Sequence, residues 1–200
     1  MNPSTKTFTA SYNPSTARPH RQDGKGSVSS DPTAIFTDGE NQMGMSVTKW
    51  RLNENEFSRG PDYLENRFNA AQGEEEWGEG SEFSNFCEIG EVWDLMNLAI
   101  SGERFPTQGV ESLVILGGDM LREIDEPGGM ITTLTQQDVF KVSQLLTGFN
   151  IDSLVARCDQ FERLPDFVIN EIRQKLADLQ SHYTLAAREG QIVVTRIYGP

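Results

Sequence analysis

Hydrophobic and polar positions change texture near residue 43. Before it, Phe8, Tyr12, Val28, Ile35 and Phe36 fall at neither a 2 nor a 3.6 period among Ser, Thr, Pro and Gly. A segment this thin in apolar residues cannot bury enough surface to offset its ordering entropy, so residues 1–42 are expected to be a disordered tail. From Met43 the pattern becomes regular. Met45, Val47 and Lys49 alternate with Ser46, Thr48 and Trp50, which predicts a strand. Asn53 followed by Glu56 is a capping pair for a short helix, and Pro61-Asp62 opens another with Leu64, Phe68 and Ala71 on one face. Glu74, Glu75, Glu76, Glu79 and Glu82, interrupted by Gly73, Gly78 and Gly80, then predict an exposed acidic loop.

Three later helices are better specified. Val92, Trp93, Met96, Ala99 and Ile100 share a face that ends at Gly102. Thr135 with Asp138 starts a helix that buries Val139, Val142, Leu146 and Phe149, and a short turn through Ile151, Leu154, Val155 and Cys158 follows. The clearest helix opens near Pro165-Asp166 and carries Ile169, Ile172, Leu176, Leu179, Tyr183 and Ala186 before Gly190. Two strands are expected around these helices: the apolar run Leu113–Leu116, closed by Gly117-Gly118, and the β-branched stretch 191–198. A turn at Pro127-Gly128-Gly129 divides the middle of the chain. Helices and strands interleave without regular β-α-β repetition. The expected fold is therefore α+β: a single compact two-layer domain over residues 43–200, with a small mixed sheet and several packed helices.

Charge sharpens this division. Residues 1–42 carry four basic and four acidic side chains, so the net charge of −13 sits entirely on residues 43–200, where 13 basic residues face 26 acidic ones. Such a surface repels phosphate backbones and anionic lipid, which disfavours nucleic-acid and membrane-surface binding. No run approaches a membrane span, and no apolar segment marks a secretory signal. Cys87 and Cys158 stand far apart without C-x-x-C spacing, which points to a reducing, cytoplasmic compartment. The hydroxyl-rich, acid-free first 22 residues are compatible in composition with a transit peptide, against the simpler expectation of a tail or an upstream start.

The ordered set Met43-Gly44-Met45, Trp93-Asp94-Leu95-Met96-Asn97-Leu98 ending at Gly102, Leu116-Gly117-Gly118, and Leu134-Thr135 resembles the YfbM-like family. Tyr183, Ala186, Ala187 and Gly190 ahead of Val193-Val194 extend the match over essentially all of residues 43–200. That family is a largely bacterial domain of unknown function (DUF1877). The resemblance implies one compact α+β domain of bacterial, cytoplasmic type and no known chemistry. The family pattern often carries histidines in the tryptophan helix where this chain has Asp94 and Asn97, so proton transfer by such histidines is absent here.

Candidate chemistry is sparse. No phosphate loop, nucleophile elbow, calcium loop or zinc spacing is present, so no catalytic residue, metal ligand or cofactor is expected, and enzymatic activity is disfavoured. His182, the one histidine after residue 42, lies a turn beyond Asp178 and is expected to form an exposed pair with it. Cys158 is expected in the core, and Cys87 has acidic neighbours that work against a nucleophilic thiolate. Trp93 belongs to a buried stripe, whereas Trp77 sits in the acidic loop, where an indole beside Glu74, Glu75 and Glu76 forms a candidate anchor for a basic protein partner. The Gly117-Gly118-Asp119 strand end is the candidate for close approach to a small ligand. Two functions follow: a non-enzymatic interaction module, of inhibitor or immunity type, or a small-molecule binder or enzyme with its pocket at Gly117-Gly118-Asp119.

Overall fold

The computed structural model describes residues 44–72, 83–124 and 129–199. Their elements run, in chain order, β1 (Ser46–Leu52), α1 (Glu54–Phe57), α2 (Pro61–Gln72), β2 (Phe86–Gly90), α3 (Trp93–Ser101), α4 (Glu111–Val114), β3 (Asp119–Glu123), β4 (Met130–Leu134), α5 (Gln136–Thr147), α6 (Ile151–Glu162), α7 (Asp166–Glu189) and β5 (Ile192–Tyr198). The five strands form one sheet in the order β2-β1-β5-β4-β3. The α+β class is as expected, but every pairing is antiparallel rather than mixed. Neighbouring strands therefore need no β-α-β crossover. Consecutive β3 and β4 pair directly, while α1 and α2 lead from β1 to β2 and α5, α6 and α7 lead from β4 to β5.

Alternation along the strands sorts side chains onto two faces. Val47, Val193 and Ile197 join the larger core under α3, α5, α6 and α7, where the stripe Ile172, Leu176, Leu179, Tyr183 and Ala186 is buried. Trp50, Leu52 and Val194 point the other way and meet Leu64, Phe68 and Ala71 of α2. On that face Trp50 stacks on Phe86 at 5.1 Å with planes 7° apart, and Phe68 meets both rings edge-on. The sheet is thus covered by a thick helical layer on one side and by α2 on the other.

Local signals explain the helix ends. Asn53 and Glu56 form the reciprocal capping box at α1, and Thr135 caps α5 through the Asp138 N–H. Gly102 and Gly190 take left-handed backbone angles that end α3 and α7, a conformation that costs glycine little. Arg157 of α6 donates to the Ala99 and Ile100 carbonyls, at 3.1 Å each, satisfying acceptors that the end of α3 leaves open.

Three expectations are corrected. Leu113–Leu116 is not a strand: Glu111–Val114 is a short helix, and β3 begins only at Asp119. A four-residue apolar run cannot separate helix from strand by period. The segment after Asn150 is a 12-residue helix rather than a turn. His182 is buried and Asp178 accepts from Gln174 instead, at 2.9 Å, so the exposed His182–Asp178 pair does not form. The tail over residues 1–42, the acidic loop at Glu74–Glu82 and the Pro127-Gly128 turn lie outside the described residues.

Candidate functional site

A row of polar side chains crosses the sheet on its helical face. Cys87 of β2 is the register partner of Lys49 in β1, Lys49 of Thr195 in β5, and Thr195 of Thr132 in β4. All four are buried. Lys49 Nζ donates to Thr195 Oγ1 at 2.8 Å and lies 5.6 Å from the centre of the Tyr183 ring. Among the described residues it has no carboxylate partner. Thr132 Oγ1 lies 2.8 Å from the Gly117 carbonyl and 3.0 Å from that of Leu116, which closes the row at its far end.

At the near end, a cleft of about 360 Å³ opens between the β1–β2 edge and α7. Its walls include Arg51, Cys87, Glu88, Lys175, Asp178 and His182. Lys175, Asp178 and His182 follow one another at steps of three and four along α7, so one helical face presents all three. Arg51 stands two residues from Lys49 and so on the same face of β1. Lys49 lies behind this wall, beside both Cys87 and His182. Arg51 Nη1 pairs with Glu189 at 3.3 Å and donates to the Gln191 side-chain oxygen at 3.2 Å, while Lys175 pairs with Glu88 at 3.3 Å.

Burial sets the protonation of this cluster. It lowers the Lys49 amine to about 7, with a small opposing effect from Cys87. Burial also lowers His182 to about 3, helped by the nearby Lys49 and Arg51 charges. The Cys87 thiol is pushed up to about 12, again by burial first and then by Asp178. Tyr183 is raised well above its ordinary value for the same reason, and its hydroxyl donates to the Val114 carbonyl at 3.0 Å. At neutral pH the cluster thus holds a neutral imidazole, a thiol and a phenol around an amine poised between its two forms. Among the described residues, the buried His182 Nε2 has no hydrogen-bond partner. An orphaned buried nitrogen is costly, which marks the ring as unusual for a purely structural residue.

The diglycine has a packing role. A Cβ on Gly117 would sit 2.1 Å from the Leu113 carbonyl oxygen, and one on Gly118, at φ +103°, would sit 1.9 Å from that of Thr133. The two glycines let the α4 turn close onto β4, and Asp119 next to them is exposed at the start of the edge strand β3. None of the three lines the α7 cleft. Trp77, Glu74, Glu75 and Glu76 lie outside the described residues.

Residues 43–196 match the family model described as a domain of unknown function, DUF1877. The chain belongs to this family. The DUF1877 domain also resembles in fold the crystal structure of YfbM from Escherichia coli, a protein of unknown function, with a TM-score of 0.52 and 15% identity over 76% of this chain and 99% of that one. No curated protein matches the chain.

In this DUF1877 domain the side chains of greatest chemical interest, Lys49, Cys87 and His182, are distant in sequence and come together only through the ladder register and the packing of α7. A usable signal existed at Lys49. A lysine at an inward position of a strand whose neighbours Val47 and Trp50 are core residues is a buried amine in waiting. Among the described residues no cluster of three metal-ligating side chains occurs, and no described helix is long and apolar enough to cross a membrane.

Proposed function

We propose that this domain binds a small polar molecule in the cleft between α7 and the β1–β2 edge. The observation that carries the reading is His182: its ring lines the cleft, yet among the described residues its buried Nε2 has no partner. Buried polar atoms in stable proteins are satisfied by protein, water or ligand groups, and a ligand that turns this ring toward the cleft supplies the missing bond. Binding fits the cluster better than covalent catalysis does, because Cys87 remains a thiol at neutral pH and a thiol is a poor nucleophile. The cleft also shifts the small-molecule reading away from Gly117-Gly118-Asp119, whose glycines are occupied with packing. The free, buried thiols of Cys87 and Cys158 support a reducing, cytoplasmic setting.

A metabolite screen by melting temperature tests this. A true ligand raises the transition of the full chain in proportion to the logarithm of its concentration above Kd. His182→Leu is expected to fold and to lose that shift. If every stabilising compound acts equally on His182→Leu and on the parent, the cleft is not the site.

A second reading, the acidic interaction module, keeps its support from exposed aromatics. Phe161 and Phe167 flank the α6–α7 connection at 62% and 72% exposure, in a domain whose acidic residues outnumber basic ones two to one. A basic protein partner would be recognised by such a surface together with Trp77 and the Glu74–Glu76 run. Capture of that partner should be lost on Trp77→Ala combined with charge reversal of the three glutamates, and its persistence would sink the module.

A further inference from the structure

The charges around the α7 cleft are layered by depth. Side-chain exposure is 12% for Arg51 and 21% for Lys175, whereas their partners Glu189 and Glu88 are 40% and 57% exposed. The two cations therefore lie deeper than the carboxylates they pair with, and Asp178, also on the wall, is an exposed carboxylate. The paired carboxylates are well solvated and their ion pairs are weak, so an incoming anion can replace them at little cost. The inner cations are screened less and reward that anion more.

Behind this wall stands Lys49. An ammonium offers three donors, and among the described residues Lys49 has one acceptor, Thr195 Oγ1. The described residues thus supply no counter-charge of the kind a protonated lysine requires.

We propose that the cleft takes a small oxyanion, a carboxylate or a tetrahedral anion of the phosphate class, and that Lys49 gains a proton when the anion binds. This deepens the binding function proposed above and rests on it. Arg51 and Lys175 supply the steering charge, the neutral His182 offers a ring N–H, and Lys49 supplies the second layer of charge. The coupling is reciprocal: an anion that favours the ammonium form must bind more tightly when that form is populated.

The groups facing Lys49 come from every neighbouring element. They are Cys87 on β2, Arg51 on β1, Thr195 on β5, and His182 and Tyr183 on α7. Glu88, Lys175 and Asp178 act at one remove, through Cys87. Of the buried set, His182 is already neutral above pH 4, and Cys87 and Tyr183 keep their protons beyond pH 9. Only the Lys49 amine, at about 7, changes charge between pH 6 and pH 8.

The test is an NMR titration of the full chain with tartrate and, separately, with sulfate, neither of which changes charge over that pH range. At least one of them should shift resonances of α7 and β1 and bind about tenfold more tightly at pH 6 than at pH 8, the ratio set by the protonated fraction of the amine. The probe that binds separates carboxylate from tetrahedral-anion recognition. Lys49→Met should bind more weakly and with no pH dependence, and Arg51→Gln, on the cleft wall, should weaken binding while keeping the pH dependence. Affinity that is flat with pH in the parent, or an unchanged pH profile in Lys49→Met, overturns the proposal. If the cleft binds only neutral or cationic compounds, this inference falls while the binding function stands, and if nothing binds there both fall.

Discussion

Lys49 and Cys87 are direct register partners across the β1–β2 ladder, and both side chains are buried against the helical layer. An amine and a thiol in this arrangement each resist ionisation, because the interior penalises charge on either one. Their protons therefore follow burial before they follow each other. The pair occupies the end of a polar row that continues through Thr195 and Thr132, so a hydrogen-bonded stripe runs through what is otherwise an apolar sheet face. Stripes of this kind cost stability where a member is under-satisfied.

Replacing Lys49 by methionine should therefore stabilise the free protein. The substitution keeps the length of the side chain, removes an amine with no counter-charge, and gives up one hydrogen bond to Thr195. The expected gain is about 1–3 kcal/mol at neutral pH, read from the urea midpoint at unchanged slope. A loss of stability would show that the amine has an acceptor set beyond Thr195.

The pH dependence of unfolding follows from the same groups. The folded Lys49 amine releases its proton near pH 7 and the unfolded one near 10.5. Between those values the unfolded chain holds the extra proton, so raising pH favours the fold. His182 acts likewise between about 3 and 6.5, since its folded value is the lower one. Cys87 has the opposite sign: its folded value of about 12 exceeds the ordinary 9.0, so stability falls across that interval. Stability should climb from pH 3 to about 9, level off to about 10.5, where Lys49 and Cys87 oppose each other, and fall above that, where Cys87 and Tyr183 act alone. Denaturant melts at pH 5, 7 and 9 check the climb. Lys49→Met should flatten its upper half.

How much of this could be read from the chain differs by element. The stripe of α7, the capping box at Asn53 and Glu56, and the alternation in β1 carry local signals that packing then reinforces, and each appears as expected. The strands β2, β3 and β4 are five residues each and carry too few alternations to stand out. The burial of His182 is hidden in the sequence for a related reason. At one step from Tyr183 and three from Leu179 it borders the buried stripe, and only the sheet edge packed against α7 decides that the ring is covered. The site was illegible because its three central residues lie on β1, β2 and α7, and their meeting depends on register rather than on spacing.

Gly118 offers a test of the packing role given to the diglycine. Alanine there would need φ near +103° and a Cβ 1.9 Å from the Thr133 carbonyl oxygen, so the β3–β4 edge would have to move. Gly118→Ala should cost about 3 kcal/mol or more, measured by thermal or urea unfolding. A ligand of the α7 cleft should still bind to whatever fraction stays folded. Tolerance of the substitution would mean that the close approach relaxes easily and that the glycine serves another purpose.

The two faces of β1 allow stability to be separated from binding. Trp50 lies between Lys49 and Arg51 in sequence but points to the opposite side, where it stacks on Phe86 and meets Phe68 edge-on. Trp50→Ala empties the centre of that smaller core and should cost about 3–5 kcal/mol. Trp50→Phe keeps an aromatic ring there and should cost less. Because Trp50 does not itself line the cleft, which reaches its neighbourhood only through Phe86, Trp50→Phe should leave anion affinity at pH 6 within about twofold of the parent, a change well under 1 kcal/mol. Arg51→Gln, one residue away, should show the reverse: little change in the unfolding midpoint, since its partner Glu189 is 40% exposed and the amide can still reach Gln191, and a clear loss of affinity. Equal losses of binding from both neighbours would mean that the cleft responds to distortion of β1 as a whole rather than to the chemistry of its inward-facing side chains.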